Sequence, residues 1–252
     1  MQLDPAAAHF RLFAHETLTS TNSESLALAR RGEKTPLWVT ALAQTAGRGR
    51  RGNSWTSEPG NLYATLLVVD PATPDRAPEL SFVAALAVFD AIADSVGACA
   101  QELALKWPND VLCRGKKIAG ILIEGEAVKS RLAVAIGIGV NCLRHPGETS
   151  FPATDLAAEG ATVAAEDLFR VLSRTMVRRL EQWRGGFRSI RADWLERAAG
   201  LGQDMRARLP DRDLRGRFEA LDDNGRLLLR LADGNLQAIA AGEVFPVAGS
   251  LA

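Results

Sequence analysis

Gln44-Thr45-Ala46-Gly47-Arg48-Gly49-Arg50-Arg51-Gly52 decides what kind of fold this chain can have, because its last six residues match GxGxxG letter for letter. In a dinucleotide-binding α/β fold that pattern closes a strand and opens a helix, with small apolar residues packing the turn. Here three arginines occupy the turn, and the chain continues through Trp55, Pro59 and Gly60 without a helical repeat. The doubly wound reading fails on that context. The segment suits a different chemistry, since glycines let backbone N–H groups approach an anion, and guanidinium groups meet phosphate or carboxylate in pairs of hydrogen bonds. A site for a phosphate-bearing ligand is one reading. A solvated basic loop, or one that binds RNA, is the other, and the segment alone leaves both open.

Working outward, His9 to Leu18 alternates as a first strand, and Thr21 with Glu24 forms a Thr-x-x-Glu capping box ahead of a helix from about Asn22 to Arg31, stopped at Gly32. Leu37 to Ala43 and Leu62 to Val69 read as strands, which makes Gln44 to Gly60 a long loop, and long loops in compact domains are usually functional. Leu80 to Val96 has helical periodicity and Leu103 to Trp107 is a short strand. Lys117 to Glu124 and Leu132 to Val140 resemble a strand pair rich in Ile and Val. Glu166 to Leu180 and Phe187 to Ala199 are amphipathic helices. After Gly200 short strands alternate with Asp223-Asn224-Gly225 and Asp233-Gly234 turns. The prediction is an α+β domain over residues 1–200 and a small β-barrel domain over 201–252.

Composition narrows the function. Of 252 residues, 47% are hydrophobic and 24% charged, as in ordinary globular proteins. No apolar run approaches the ~18 residues that cross a bilayer, and Met1 to Phe10 lacks the character of a secretory signal, so the cytoplasm is expected. Thirty basic and thirty acidic residues cancel, which argues against general attraction to DNA or to anionic membrane. Cys99, Cys113 and Cys142 are odd in number and lack CxxC spacing, and His9, His15 and His145 add no zinc-like cluster. Three buried, inert thiols are expected. No helix-turn-helix is expected ahead of a strand that begins near residue 9.

Two further segments carry chemistry. Lys106-Trp107-Pro108-Asn109-Asp110 closes a strand, and Pro108 forces the chain out of the sheet so that Asn109 and Asp110 stand at its edge. A turn explains Pro-Asn-Asp but not the preceding Lys-Trp. Lys117 opens an apolar strand in which Gly120 suggests close approach by a ligand or another backbone; Gly137, Gly139 and Asn141 make the same suggestion on the next strand. Together these glycines would leave a groove. The bland alternatives are a strand-end lysine and glycines that ease a twisted sheet.

With Ser20-Thr21-Asn22, the Gly47 to Gly52 loop preceded by Gln44 and followed by Trp55, Lys106 to Asp110, Lys117 to Glu124 and Gly139 to Asn141, the chain resembles the biotin protein ligases in motif order and spacing over roughly residues 10 to 245. The resemblance implies a mixed, mostly antiparallel sheet flanked by helices, followed by an SH3-like barrel. It implies biotin and ATP as substrates, Mg²⁺, and transfer of biotin from biotinyl-5'-AMP to a lysine of a biotin carboxyl carrier protein. Ser20, Thr21, Asn22 and Gln44 would then hydrogen-bond the ureido ring, and the groove at Gly120 and Leu122 would take the thiophene and valeryl tail. Gly47, Arg48, Gly49 and Arg50 would form the loop that closes over biotin and its adenylate.

On the same resemblance Lys117 and Arg50 are the catalytic cations. Arg48, Arg51, Gly52, Trp55, Lys106, Asn109, Asp110 and Asn141 complete an ATP site in which Asn141 reads the exocyclic amine. Asp110 is a candidate either for Mg²⁺ or for orienting a lysine. Arg144 to Ala165, with Phe151 and Leu156, would be a lid over adenine. DNA binding and repression are not expected, and the chain would be a monomer or homodimer. A lipoate or octanoate ligase of the same architecture is the nearest rival; a non-catalytic sensor or a nucleic-acid-binding module is the rival of another class.

Overall fold

The computed structural model describes residues 1–96, 101–147 and 149–247. The first domain is built on strands β1 (Arg11–Leu18), β2 (Leu37–Gln44), β3 (Leu62–Val69), β4 (Leu103–Lys106), β5 (Asp110–Cys113), β6 (Lys116–Val128) and β7 (Arg131–Val140). They form one sheet in the order β1-β2-β3-β7-β6-β5-β4. In this sheet β1 and β2 pair parallel, joined by helix α1 (Thr21–Arg30), and the other pairs are antiparallel. This is the expected α+β sheet, with β5 as an additional strand directly after the Pro-Asn turn.

Alternation gives the sheet two unlike faces. Leu62, Ala64, Leu66 and Val68 of β3, with Val134, Ile136, Ile138 and Val140 of β7, join the main core under helices α2 (Glu79–Val96), α3 (Ala165–Arg184) and α4 (Phe187–Leu195). A fully buried Val, Leu or Ile side chain of this kind contributes about 1.5–3 kcal/mol by leaving water. Arg179 of α3 clamps the helices together, its Nε and Nη2 bonding Asp90 at 2.6 and 3.0 Å. The opposite face holds a smaller cluster, Leu28 and Ala29 of α1 against Leu37, Val39, Leu67 and Ala133. Beside that cluster the face is bare of bulk: Gly137 and Gly139 lie between Thr65 and Tyr63 on one side and Leu122 and Gly120 on the other. That patch is the floor of the site.

The second unit is an SH3-like antiparallel sheet of β8 (Asp204–Arg208), β9 (Asp213–Leu221), β10 (Leu227–Arg230), β11 (Leu236–Ile239) and β12 (Glu243–Pro246), in the order β11-β10-β9-β8-β12. Its Asp222–Gly225 turn reaches back into the first domain. Trp107 Nε1, fully buried, donates to Gly225 O at 3.1 Å, which accounts for the tryptophan beside Lys106 that a turn does not explain. Gly225 has φ +74°, and a Cβ there would lie 2.6 Å from the Phe82 ring, itself edge-on to Phe187 and Trp194. Gly225→Ala is therefore expected to destabilise the protein by about 2–4 kcal/mol, from left-handed strain plus overpacking. Urea unfolding should register it as a lower midpoint.

Several local expectations are corrected. α1 starts at Thr21, so Thr21 is not its N-cap; Ser20 is, without a side-chain cap bond, and Glu24 pairs with Arg31 instead. Leu156 is fully buried core and not part of a lid surface. Cys113 and Cys142 are buried, and burial pushes the Cys142 thiol up to about 12; Cys99 lies outside the described residues. No helix among the described residues is long and apolar enough to cross a membrane.

Candidate active site

A cavity of about 400 Å³ lies over the glycine floor, roofed by the arginine loop and bounded by the segment after β7 and by β12. Of the residues expected at a site, Ser20, Thr21, Asn22, Gln44, Arg48, Gly49, Arg50, Trp55, Lys106, Asn109, Asp110, Lys117, Gly120, Leu122 and Asn141 all line it. Gly47, Arg51 and Gly52 do not. Gly47 lies beneath the loop, where a Cβ would come within 2.4 Å of Ser57 Oγ and Trp55 O, while Arg51 and Gly52 are exposed at a turn with φ +55° and +77°.

One end is neutral and pre-bonded. Gln44 Oε1 accepts from Thr21 N at 2.8 Å and from Thr21 Oγ1 at 3.1 Å, and Gln44 Nε2 donates to Ser57 Oγ at 2.9 Å. Thr65 Oγ1 lies 2.8 Å from Thr21 Oγ1 and 2.7 Å from Asn22 Oδ1. This explains the failed capping box: the Thr21 hydroxyl serves Gln44 and Thr65, not the helix end. Ser20, nearly buried and not capping, keeps its hydroxyl toward the cavity. Gln44 keeps one amide N–H. Asn22 gives its amide hydrogens to Leu122 O and Glu124 Oε2 at 3.3 and 2.7 Å.

The other end is cationic. Lys106, Asp110, Gly120 and Gly139 occupy one transverse row of the sheet, each in register with the next. Lys117 joins them because of a β-bulge. By strict alternation Lys117 and Gly120, three apart, face opposite ways; the register slips between Val111 and Leu112, burying Ile118 and Ala119 in succession and turning Lys117 onto the floor side. Its Nζ then sits 2.6 Å from Asp110 Oδ1 and 3.2 Å from where a Gly120 Cβ would be. Lys106 Nζ approaches Asp110 Oδ2 at 3.6 Å and lies 4.5 and 5.6 Å from the ring centres of Phe151 and Phe245. Burial lowers the Lys106 ammonium, with Asp110 opposing and Lys117 adding to the fall. Arg50 is lowered by burial and then by its neighbour Arg51, and its Nη1 is 3.3 Å from Asn109 Oδ1.

Asp110 thus bridges two lysine ammonium groups. Of the two roles expected for Asp110, the geometry matches the orienting of lysines, since both its oxygens face ammonium groups, Oδ1 toward Lys117 and Oδ2 toward Lys106. The Trp55 ring covers the glycine floor, within 2.6 Å of a Cβ built on Gly139 and 3.0 Å of one on Gly120. Asn141 Nδ2 donates to Thr154 O at 2.9 Å. Thr65 and Ser57, single hydroxyls with no pattern around them, carry no sequence signal, and neither does Phe245, which the barrel brings to the rim beside Glu243.

A parallel-edged antiparallel sheet with an SH3-like unit behind it, and a cavity joining a neutral polar end to a lysine-arginine end, define the class. Residues 14–141 match the Biotin/lipoate A/B protein ligase family, and the chain belongs to that family. More narrowly, residues 200–245 match the Biotin protein ligase C terminal domain. The chain is 42% identical to the Biotin--[acetyl-CoA-carboxylase] ligase of Paracoccus denitrificans, over 90% of this chain and 96% of that one. It is 34% identical to the Bifunctional ligase/repressor BirA of Bacillus subtilis, over 88% and 70% respectively. Among solved structures, the biotin protein ligase from Aquifex aeolicus in complex with biotin and ATP superposes with a TM-score of 0.78 at 26% identity, covering 93% of this chain and 97% of that one.

Proposed function

We propose that this ligase activates biotin with ATP, forming biotinyl-5'-AMP and pyrophosphate, and then passes biotin to a lysine of a biotin carboxyl carrier protein. The observation that carries the reading is a single cavity with a neutral hydrogen-bonding end at Ser20, Thr21 and Gln44 and the Lys117–Asp110–Lys106 row with Arg50 at the other. A urea is neutral and planar, with one carbonyl acceptor and two N–H donors. The free Gln44 N–H and the Ser20 hydroxyl suit it, while Thr21 Oγ1, bonded to Gln44 and Thr65, and Asn22 have only oxygen lone pairs left to offer. The biotin tail would run along the Gly120–Leu122 floor after Trp55 moves aside, and its carboxylate would reach Lys117.

The first step brings two anions together. The biotin carboxylate oxygen attacks the α-phosphorus of ATP, the bond to the bridging oxygen breaks, and pyrophosphate leaves with the electron pair. Lys117 and Arg50, held before substrate arrives, would offset the repulsion and stabilise charge growing on the α-phosphoryl oxygens. Asp110 keeps both lysines aimed inward. Mg²⁺ enters this reading only on the phosphates of ATP. With one amide hydrogen given to Thr154 O, Asn141 would offer a purine its carbonyl oxygen, an acceptor for an exocyclic amine, and keeps a second N–H. In the second step the carrier lysine attacks the mixed anhydride and AMP leaves; a closed roof beforehand keeps water from the anhydride.

The reaction belongs in the cytoplasm, where ATP and the carrier are found together. The test is incubation of the purified protein with biotin, ATP, Mg²⁺ and a recombinant carrier domain, followed by intact-mass analysis. One biotinyl group added at one lysine, dependent on ATP, is expected. An unmodified carrier beside accumulated adenylate would confine the chain to the first half-reaction.

A further inference from the structure

The hydrogen bonds of the roof converge on a carboxylate that takes no part in the chemistry described so far. Arg48, expected to face a carboxylate or phosphate of the ligand, is turned instead toward the protein: Nη1 bonds Ser23 Oγ at 2.8 Å and Nη2 bonds Glu124 Oε2 at 2.7 Å. The same Glu124 oxygen accepts from Asn22 Nδ2 at 2.7 Å. Glu124 follows Gly120 and Leu122 on the floor side of β6, two residues beyond the cavity lining. One carboxylate oxygen therefore joins three elements, the arginine loop, the start of α1 and β6.

We propose that Glu124 is a positioning residue for biotin: it latches the arginine loop through Arg48 while fixing the rotamer of Asn22, so that roof and ureido end are set by one group. Three consequences follow, given the function proposed above. Glu124 supplies within the protein the anion that Arg48 would otherwise seek in the ligand, which leaves Arg50 as the loop guanidinium facing the phosphate end. It also makes loop closure depend on the polar chain Glu124–Asn22–Thr65–Thr21–Gln44, each member bonded to the next. An exposed pair in isolation biases a loop only slightly. Here the pair shares its acceptor with a buried amide, so loss of Glu124 also takes the shorter of the two bonds made by the Asn22 amide nitrogen, in a residue whose exposure is 3%.

The experiment compares wild type, Glu124→Gln, Glu124→Ala, Arg48→Ala and the double variant Glu124→Ala/Arg48→Ala as full chains. Two readouts are used: biotin-dependent ATP–pyrophosphate exchange, resolved into KM for biotin and kcat, and the rate at which trypsin cuts after Arg50 or Arg51, the loop sites every variant keeps, without ligand. Glu124→Ala should raise KM for biotin about 5- to 20-fold, with a smaller change in kcat, and should speed loop cleavage several-fold. Glu124→Gln keeps an acceptor for Asn22 but loses the charge facing Arg48. It should recover most of the KM while leaving the loop as cleavable as in Arg48→Ala, and it serves if the alanine variant does not fold. In the double variant the cleavage effects should not multiply.

Unchanged KM and cleavage in a folded Glu124 variant, or independent multiplication of the two single effects, would overturn the latch. Absence of biotin-dependent exchange in wild type would instead sink the proposed function, and the cleavage arm would still report on the latch by itself.

Discussion

Lys117→Ala is expected to lower biotin-dependent ATP–pyrophosphate exchange by about 10²- to 10³-fold, the loss typical of removing one preorganised charge-stabilising group. The bulge beside Ile118 places this ammonium on the floor side, 2.6 Å from Asp110 and 5.2 Å from the centre of the Trp55 ring. None of those contacts can bring a replacement to the same point. Lys106 is only 6% exposed and held between Asp110 and two phenylalanine rings, too confined to take over. Because the charge acts on the reacting carboxylate and α-phosphate, the loss should fall mainly on kcat, with biotin affinity, measured by calorimetry, falling much less. Equal losses in affinity and rate would mean that Lys117 serves ground-state binding alone.

Gly137→Ala is expected to weaken biotin binding by at least about tenfold while the protein stays folded, with a stability loss of about 1–3 kcal/mol. A Cβ at this position would lie 2.3 Å from Asn22 Oδ1 and 2.9 Å from the amide carbon and nitrogen. Asn22 is not a flexible end that can step aside, since its amide is bonded to Thr65, Leu122 O and Glu124. The start of α1 must move, taking Ser20 and Thr21 with it. Gly125→Ala is the control on the neighbouring strand, where the nearest atom to a new Cβ is 3.6 Å away, an ordinary contact. It should leave biotin affinity as in wild type. Isothermal titration of both variants decides between a floor that needs Gly137 and one that tolerates a methyl group.

The sheet was legible in its centre because Ile and Val are dense along β6 and β7 and alternate with glycine from Ile136 to Val140, a pattern that a strand imposes and a helix does not. The barrel was legible from its Asp-Asn-Gly and Asp-Gly turns, where Gly225 and Gly234 do take positive φ. β5 was hidden because its first residue, Asp110, also ends the turn that Pro108 starts. The arginines inside the literal GxGxxG were enough to set a doubly wound fold aside. The Thr21–Glu24 capping box misled, because Thr21 Oγ1 serves partners 23 and 44 residues away.

The site was legible wherever its residues are adjacent in sequence, as in Ser20 to Asn22 or Lys106 to Asp110. It was not legible where a fold-level contact assigns the partner. That Arg48 turns to Glu124, that Trp55 covers Gly139, and that Phe245 of the barrel stands over Lys106 each depend on residues at least 76 apart, or on a loop path that no local pattern encodes.

The central claim is that this cavity turns a biotin carboxylate and ATP into a mixed anhydride. Its most direct test is ATP–pyrophosphate exchange by the purified wild-type chain with biotin, and separately lipoate, as the carboxylate. Exchange that requires biotin and is absent or far slower with lipoate is the expected result. Binding of biotin without any exchange would contradict the claim and leave a sensor; exchange that prefers lipoate would contradict the ureido assignment of Ser20, Thr21 and Gln44.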